Sequence, residues 1–392
     1  MLDSKQHEFS VIHCMPVWIP DTATYLYSQI SNLPKSVDNH IVCERLNSLQ
    51  EFPIDNIHSA DSTLDKTRFY LNHLLRKSGI RIPYGKLSNI IDSCQKPVVH
   101  SHWGDVGWQN AKLVSDKHVP HVVTFYGKDV NFYPQQKRWR TNYLDLFGKL
   151  DLVLCEGPHM AHCIEKLGCP SSKIQVKELG VDLDKIPYIP REWPQNDVLR
   201  ILISASFRQK KGIPYALLAI SEFQKMGNKV EVTIIGDSSN DPRSIPEKTK
   251  ILDTLNNTGL MSVTKMLGYQ PYKILMDEAY KHHIFMSPSV TADDGDTEGG
   301  APVTITEMAA TGMVIVSTTH CDIPHVVEDK KTGLLAKEKD VPGLVERLCW
   351  LSEHRDNWPD MLAKSRQHIE NKFNKNVLSK KLFEIYAGLA NR

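Results

Sequence analysis

Two carboxylates, Glu298 and Glu307, bracket a run of small residues that could hold an anion. The segment reads Glu298-Gly-Gly-Ala-Pro-Val-Thr-Ile-Thr-Glu307-Met-Ala-Ala-Thr-Gly312 and continues into an apolar run over 313–317. These residue types predict a loop, a helix and a buried strand. Gly299 and Gly300 let backbone N–H groups approach a ligand closely. Ala301 and Pro302 open the predicted helix, proline being suited to a first turn, and Val303 follows. A helix N-terminus behind a glycine pair is an anion site, because its free N–H groups and its dipole face the ligand. Amides that hold phosphate and carboxylates that accept from hydroxyls suit a ligand carrying phosphates and sugar hydroxyls together.

Other residues fit the same chemistry. An apolar run ends in Arg208-Gln-Lys-Lys211-Gly212, a basic loop before a predicted helix. Cations at the mouth of a sheet suit a diphosphate that gains charge as it leaves. Gly236 and Gly268 each end an apolar run, as close approach to a nucleotide requires. In the first half, Val98-Val-His100-Ser-His102-Trp-Gly104 and Val122-Val-Thr124-Phe-Tyr126-Gly127-Lys-Asp129 are apolar runs ending in polar, glycine-bearing loops. In a parallel sheet such tips face a ligand-binding crevice. Tyrosine can hydrogen-bond a sugar hydroxyl, but it carries no proton near neutral pH.

Elements of two kinds must position these residues. Strand candidates lie at 10–14, 39–43, 97–101, 121–125 and 152–155, with helical patterns at 62–77, 106–117 and 139–149 between them. The rhythm repeats with strands at 200–204, 229–235, 262–267, 283–286 and 313–317. Short β-rich runs separated by helices imply α/β architecture with parallel sheets covered on both faces. A chain of 392 residues is too long for one ordinary core. The expected organisation is an N-terminal Rossmann-like domain over 1–185, a second over 195–375 and a C-terminal helix over 376–392 packing back on the first. Three prolines within 185–194 mark the predicted linker.

A net charge of +1 argues against a nucleic-acid partner. The eight cysteines are scattered without a Cys-x-x-Cys pair, which predicts buried thiols and a cytoplasmic protein. The N-terminus lacks a signal-peptide apolar core, and no run reaches the roughly 20 apolar residues of a membrane span. No metal is expected. Asp294, Asp296, Glu298 and Gly299 mimic the start of a calcium loop, but its last ligand position falls on Ile305. His100, His102, His282 and His283 lack a zinc-ligand pattern. Lys128, Lys137, Arg138 and Arg140, interleaved with Phe132, Tyr133 and Trp139, suggest a peripheral contact with a membrane surface.

The ordered series of motifs resembles the family-4 retaining glycosyltransferases, in the branch that builds exopolysaccharides such as colanic acid. The resemblance covers nearly the whole chain. It implies the GT-B fold, two doubly wound domains facing each other across a cleft. It also implies a UDP- or GDP-linked sugar as donor, a glycan, lipid-linked or small-molecule acceptor, and no cofactor. Glu298 then contacts the donor sugar, the glycine backbone holds the diphosphate, and Glu307 binds the ribose. Eight residues separate the glutamates, one more than the family spacing. Lys211-Gly212 matches the family's Lys-Gly, Ser206 stands at its arginine position, and Arg208 lies two residues later. Ser287-Pro288-Ser289 matches the Pro-Ser turn before the glutamates. The resemblance places His102, Gly104, Gly127 and Asp129 at the cleft, and Thr24 on the acceptor side. Tyr126 stands where the family has a histidine beside the reacting sugar. These departures keep two alternatives open, a catalytically silent homologue that partners an active transferase and a sugar-nucleotide epimerase.

Overall fold

The computed structural model describes residues 7–19, 24–46, 49–59, 63–239 and 241–392. The chain divides into two compact units, Met1–Gly180 with Lys375–Arg392, and Val181–Asn374. The strands described in the first unit are β1 (Phe9–Cys14), β2 (Val17–Trp18), β3 (Val37–Val42), β4 (Arg45–Leu46), β5 (Ile57–His58), β6 (Pro97–His102), β7 (His121–Thr124), β8 (Leu152–Cys155) and β9 (Ile174–Val176). Seven of them form one sheet in the order β5-β3-β1-β6-β7-β8-β9, and β2 pairs with β4. All pairings are parallel. Two-residue alternation puts Val98, His100 and His102 on one face of β6. The helix Lys375–Ala390 covers the apolar part of that face, packing Leu382, Tyr386 and Leu389 against Phe9, Val11, Val98, Val122 and Leu154.

The second unit contains β10 (Leu199–Ser204), β11 (Val230–Ile235), β12 (Thr264–Gly268), β13 (Ile284–Ser287), β14 (Val314–Thr318) and β15 (Leu334–Ala336), in the order β12-β11-β10-β13-β14-β15. These pairings are parallel as well. β10 and β13 are almost wholly apolar and buried on both faces, as central strands of a helix-covered sheet must be. Helices Ile213–Lys225 and Val341–Glu353 close one side with Leu217, Ile220, Phe223, Leu344 and Leu348.

Three expectations shift. The unit boundary falls at Gly180/Val181, before the proline-rich 185–194. That segment is tied into the second unit by Arg191, whose guanidinium donates to the carbonyls of Ile189, Ala279, His282 and Thr311. The helix expected from 106 begins at Gly104, because its first N–H is accepted by Asp129 from another loop. Pro302 is the N-cap (ψ 127°) and the helix itself starts at Val303. The edge strands β5, β9 and β15 are only two or three residues long, too short for a periodic signal.

Candidate functional site

In the second unit the loop after β10 brings its cations to the loop after β13. Gly212 turns the chain with φ +65°, and a Cβ there would lie 1.9 Å from the Pro288 carbonyl oxygen. Only glycine permits so close an approach, so the Lys211 loop is clamped to the Pro288-Ser289 turn. Val290 N–H donates to the Lys210 carbonyl at 2.8 Å and strengthens the clamp. Lys211 Nζ consequently lies 2.8 Å from Glu298 Oε1, and Ser289 Oγ donates to the same oxygen at 2.9 Å. Burial pushes the Glu298 carboxyl up, but Lys211 and Lys210 more than offset it and hold it at about 2. The Glu298 N–H donates to His320 Nε2 at 3.1 Å. His320 therefore carries its proton on Nδ1, which donates to Glu338 Oε1 at 2.7 Å.

Glu307 lies on the helix Val303–Thr311, behind the loop Gly299–Pro302. Burial pushes its carboxyl up to about 7, against a hydrogen bond from the Tyr272 hydroxyl. Glu298 is thus a paired anion at neutral pH, while Glu307 sits near its midpoint. Gly299 has φ +80° and donates to Thr297 Oγ1 at 3.1 Å. Ala301, Pro302 and Val303 are half-buried at the helix start.

Arg208 occupies a different place from Lys211. Its guanidinium donates to Asp241 Oδ2 at 2.7 Å and to Asp296 Oδ2 at 2.6 Å. Lys210 reaches Asp296 Oδ1 at 3.3 Å and the Thr297 carbonyl at 2.8 Å, and Arg243 pairs with Asp241 and Asp294. The acidic loop that mimicked a calcium site is neutralised by these cations. Gly236 also has a reason other than a ligand, since a Cβ there would lie 1.9 Å from the Ala205 carbonyl oxygen. Gly268 accepts from Gly236 N–H at 2.8 Å, and open space lies where its Cβ would be.

At the strand ends of the first unit, β6 and β7 are joined by Asp129. Its Oδ2 accepts from Gly104 N–H at 2.8 Å and Tyr126 N–H at 3.2 Å. Asp129 is fully buried, and burial pushes its carboxyl well up. A Cβ on Gly104 would press to 2.6 Å from the Phe125 ring. Gly127 leads into the helical turn Lys128–Phe132. Asp129, Gly104 and Gly127 therefore build the loop, which corrects the expectation that Asp129 lines a cleft.

His102 Nδ1 lies 3.1 Å from the Tyr126 hydroxyl, and His102 Nε2 lies 3.2 Å from His13 Nδ1. His100 contacts the Tyr386 hydroxyl at 2.6 Å and Thr124 Oγ1 at 2.7 Å. Tyr126 is only 5% exposed, with Tyr25 and Trp103 rings at 5.5 and 5.3 Å. Burial depresses His13 to about 3 and lowers His100 and His102 well below the usual imidazole range. Burial also lowers Lys177, at the end of β9, to about 7. Nitrogens of His13, His100 and His102 lie within 4.8 Å of one another, the one cluster of metal-ligand type among the described residues. Both His100 nitrogens are engaged by hydroxyls, and the cluster has no anionic member to balance a divalent charge. Thr24 opens the helix Thr24–Ser31, but its side chain lies outside the described residues. The expected basic-aromatic patch folds inward in part, with Tyr133 stacked on Trp139 and Trp139 edge-on to Trp108.

Sequence reasoning missed Lys210, Ser289, Asp296, His320 and Glu338 around Glu298, because no local motif joins residues so far apart. It also missed His13, Tyr386 and Lys177. A usable signal existed for His13, since it sits at the end of one strand candidate as His100 and His102 sit at the end of another. Among the described residues no helix is long and apolar enough to cross a membrane.

Residues 22–185 match the family described as Glycosyltransferase Family 4, and residues 188–374 the one described as Glycosyl transferases group 1. The chain is 30% identical over 295 residues to the Escherichia coli glycosyltransferase WcaL, named for colanic acid biosynthesis, across 74% of this chain and 70% of that protein. It is 32% identical over 272 residues to the amylovoran biosynthesis glycosyltransferase AmsK of Erwinia amylovora, across 69% of this chain and 64% of the relative. Among solved structures, Anabaena HepE in complex with UDP aligns with a TM-score of 0.76 at 12% identity, across 97% of this chain and 99% of that one. Its complex with UDP-glucose aligns at 0.75. At this identity the likeness concerns the fold, and the fold is GT-B.

Proposed function

The chain belongs to glycosyltransferase family 4, and from that premise we propose that it transfers a hexose from a nucleotide-diphosphate sugar to a hydroxyl of an exopolysaccharide or lipid-linked glycan, with retention at the anomeric carbon. The observation that carries this reading is the Lys211–Glu298 pair set before a helix N-terminus, with Glu307 on that helix. The names of WcaL and AmsK support an exopolysaccharide acceptor. The HepE complexes support UDP over GDP as the donor's nucleotide.

In this reading the anomeric carbon's bond to the phosphate oxygen breaks as its bond to the acceptor oxygen forms on the same face. The acceptor's proton passes to the departing phosphate oxygen, so no side chain is assigned as base. Lys211 and the amides of Gly300 and Ala301 meet the charge that develops on the diphosphate. Glu298 orients the sugar, and Glu307 accepts from the ribose hydroxyls. Arg208 holds Asp296 and through it the shape of the loop. The scheme calls for no metal, and turnover should survive a chelator. The eight free thiols fit a reducing compartment such as the cytoplasm. Exposed Leu71 and Leu74, beside Lys77 on the helix Thr63–Lys77, suit a peripheral contact with anionic lipid.

The buried Tyr126 favours one rival, a silent homologue that binds nucleotide without turnover. The deciding experiment incubates the purified protein with UDP- and GDP-sugars and follows nucleotide diphosphate release and glycan mass. NMR of the product's anomeric proton then reads the stereochemistry. Nucleotide binding with no release on any acceptor or water would replace the transferase by the silent partner.

A further inference from the structure

We propose that Tyr126 presents an acceptor-only oxygen to its ligand, because a one-directional hydrogen-bond chain, Tyr126 to His102 to His13 to Asn39, commits the phenol proton inward. The chain would recognise a sugar hydroxyl, which donates, and would discriminate against phosphate or carboxylate oxygens, which do not. This role in ligand recognition rests on the transferase reading above; the direction of the chain does not.

The direction follows from the last link. His13 and His102 are fully buried, so both imidazoles are neutral and each carries one proton. Neither His13 Nε2 nor Asn39 Oδ1 has a partner elsewhere among the described residues. Asn39 raises the basicity of His13, as a carbonyl oxygen accepting from an imidazole N–H does. The His13 proton is therefore on Nε2, and Nδ1 is an acceptor. His102 Nε2, 3.2 Å away, must donate to it. That leaves His102 Nδ1 as an acceptor, and the only proton available at 3.1 Å is that of the Tyr126 hydroxyl.

The surroundings reinforce this order. Tyr126 is faced by Tyr25, Glu156, Asp129 and Tyr386, and burial together with these groups keeps its hydroxyl protonated. His102 is faced by His13 and Lys177, whose positive charges would oppose a second proton on its ring. His100 stands on a separate branch, with its nitrogens on Tyr386 and Thr124. A metal at the three histidines would require another arrangement. His13 Nδ1 and His102 Nε2 would both be ligands, and His102 would carry its proton on Nδ1.

The test reads tautomers directly in the full chain. The protein is labelled with ¹⁵N-histidine, and long-range ¹H–¹⁵N spectra are recorded near pH 7.5, with signals assigned through His13→Gln and His102→Gln. The expected result is an Nε2–H tautomer at both His13 and His102, with no stoichiometric metal by elemental analysis. An Nδ1–H tautomer at His102 would overturn the chain, and one bound metal ion per chain would replace it by a metal site. Should either variant fail to fold, Tyr126→Phe supplies the assignment by shifting the His102 signal alone. In turnover, Tyr126→Phe should raise KM for the sugar substrate it touches about 2- to 13-fold, the loss of one neutral hydrogen bond. Expected tautomers with unchanged KM and kcat in Tyr126→Phe would overturn the recognition role. A wild-type protein with these tautomers but no turnover would uphold the chain and reject the transferase reading instead.

Discussion

Glu298 and His102 stand at comparable places, each at or just beyond the carboxyl end of a central parallel strand, yet their surroundings treat charge in opposite ways. Around Glu298 the second unit gathers Lys210, Lys211, Arg208, Asp296 and Asp241, so nearly every charge is met by another within 4 Å. Around His102 the first unit gathers His13, His100, Tyr126 and Tyr386, all buried and held neutral by desolvation. The first arrangement suits a ligand that brings and gains negative charge, since cations are already oriented toward its place. The second suits neutral hydroxyls, where direction of hydrogen bonding matters more than charge. A single chain thus builds an electrostatic tip and a hydrogen-bonding tip from the same strand-loop geometry.

The largest expected effect tests the electrostatic tip. Lys211→Ala should lower kcat by about 10²- to 10³-fold, the scale of one removed electrostatic donor, with a smaller change in donor affinity. Steady-state kinetics check this, and wild-type turnover would place Lys211 outside the reaction. It would also leave Glu298 buried without its nearest cation, so a thermal midpoint should be recorded beside the rates.

Glu307→Ala should weaken nucleotide binding by about 10- to 150-fold, from the loss of a charged hydrogen bond worth roughly 1.5–3 kcal/mol. Calorimetry with UDP reads it. Binding requires the carboxylate, whose folded value is about 7, so affinity should fall as pH drops below neutrality. The slope cannot exceed about tenfold per pH unit for one proton, and a pH-independent affinity would sink the ribose assignment.

Acid should distinguish the tips next. His13 and His121 have folded values of about 3 against 6.5 unfolded, so the unfolded chain binds more protons between those values. Their stabilisation is complete above about pH 6.5 and is lost at roughly 1.4 kcal/mol per group for each pH unit below it. Glu298, at about 2, and its ion pairs begin to lose stability only below the ordinary glutamate range. The second unit is not immune, since burial also depresses His283 to about 4. Hydrogen exchange near pH 5 should nevertheless show the first unit opening before the second. Simultaneous opening would mean that the histidine tip is not the weaker part.

The smallest effect belongs to Tyr126→His. It restores the residue usual in the resembling family but removes the phenol that His102 accepts from, so activity should change by no more than about tenfold in either direction. A complete loss would give Tyr126 a part in the chemistry itself.

Much of this molecule was legible in residue order. Central strands such as β8 and β10 announced themselves as short apolar runs between helical patterns, because burial on both faces demands apolar side chains throughout. Lys211-Gly212 and Glu298 through Glu307 were legible because glycine, proline and charge at fixed offsets have local conformational meaning. The purpose of some residues was misread for the same reason. Gly236 was assigned to a ligand, while its neighbour across the sheet, Ala205, requires it. Arg208 was read from its position beside Lys211, but Asp241 and Asp296 claim its guanidinium.

By itself the sequence determined the α/β class, the parallel sheets and the short segments whose backbone invites a phosphate, because periodicity, glycine and proline act within a few residues. Only tertiary structure decided which charges are answered and which protons are committed. Those depend on contacts such as Arg208–Asp296, His320–Glu338, Gly104–Asp129 and His13–His102, between groups distant in the chain. Desolvation depends on the same packing, and so Glu298 and Glu307, nine positions apart in one motif, end near 2 and near 7.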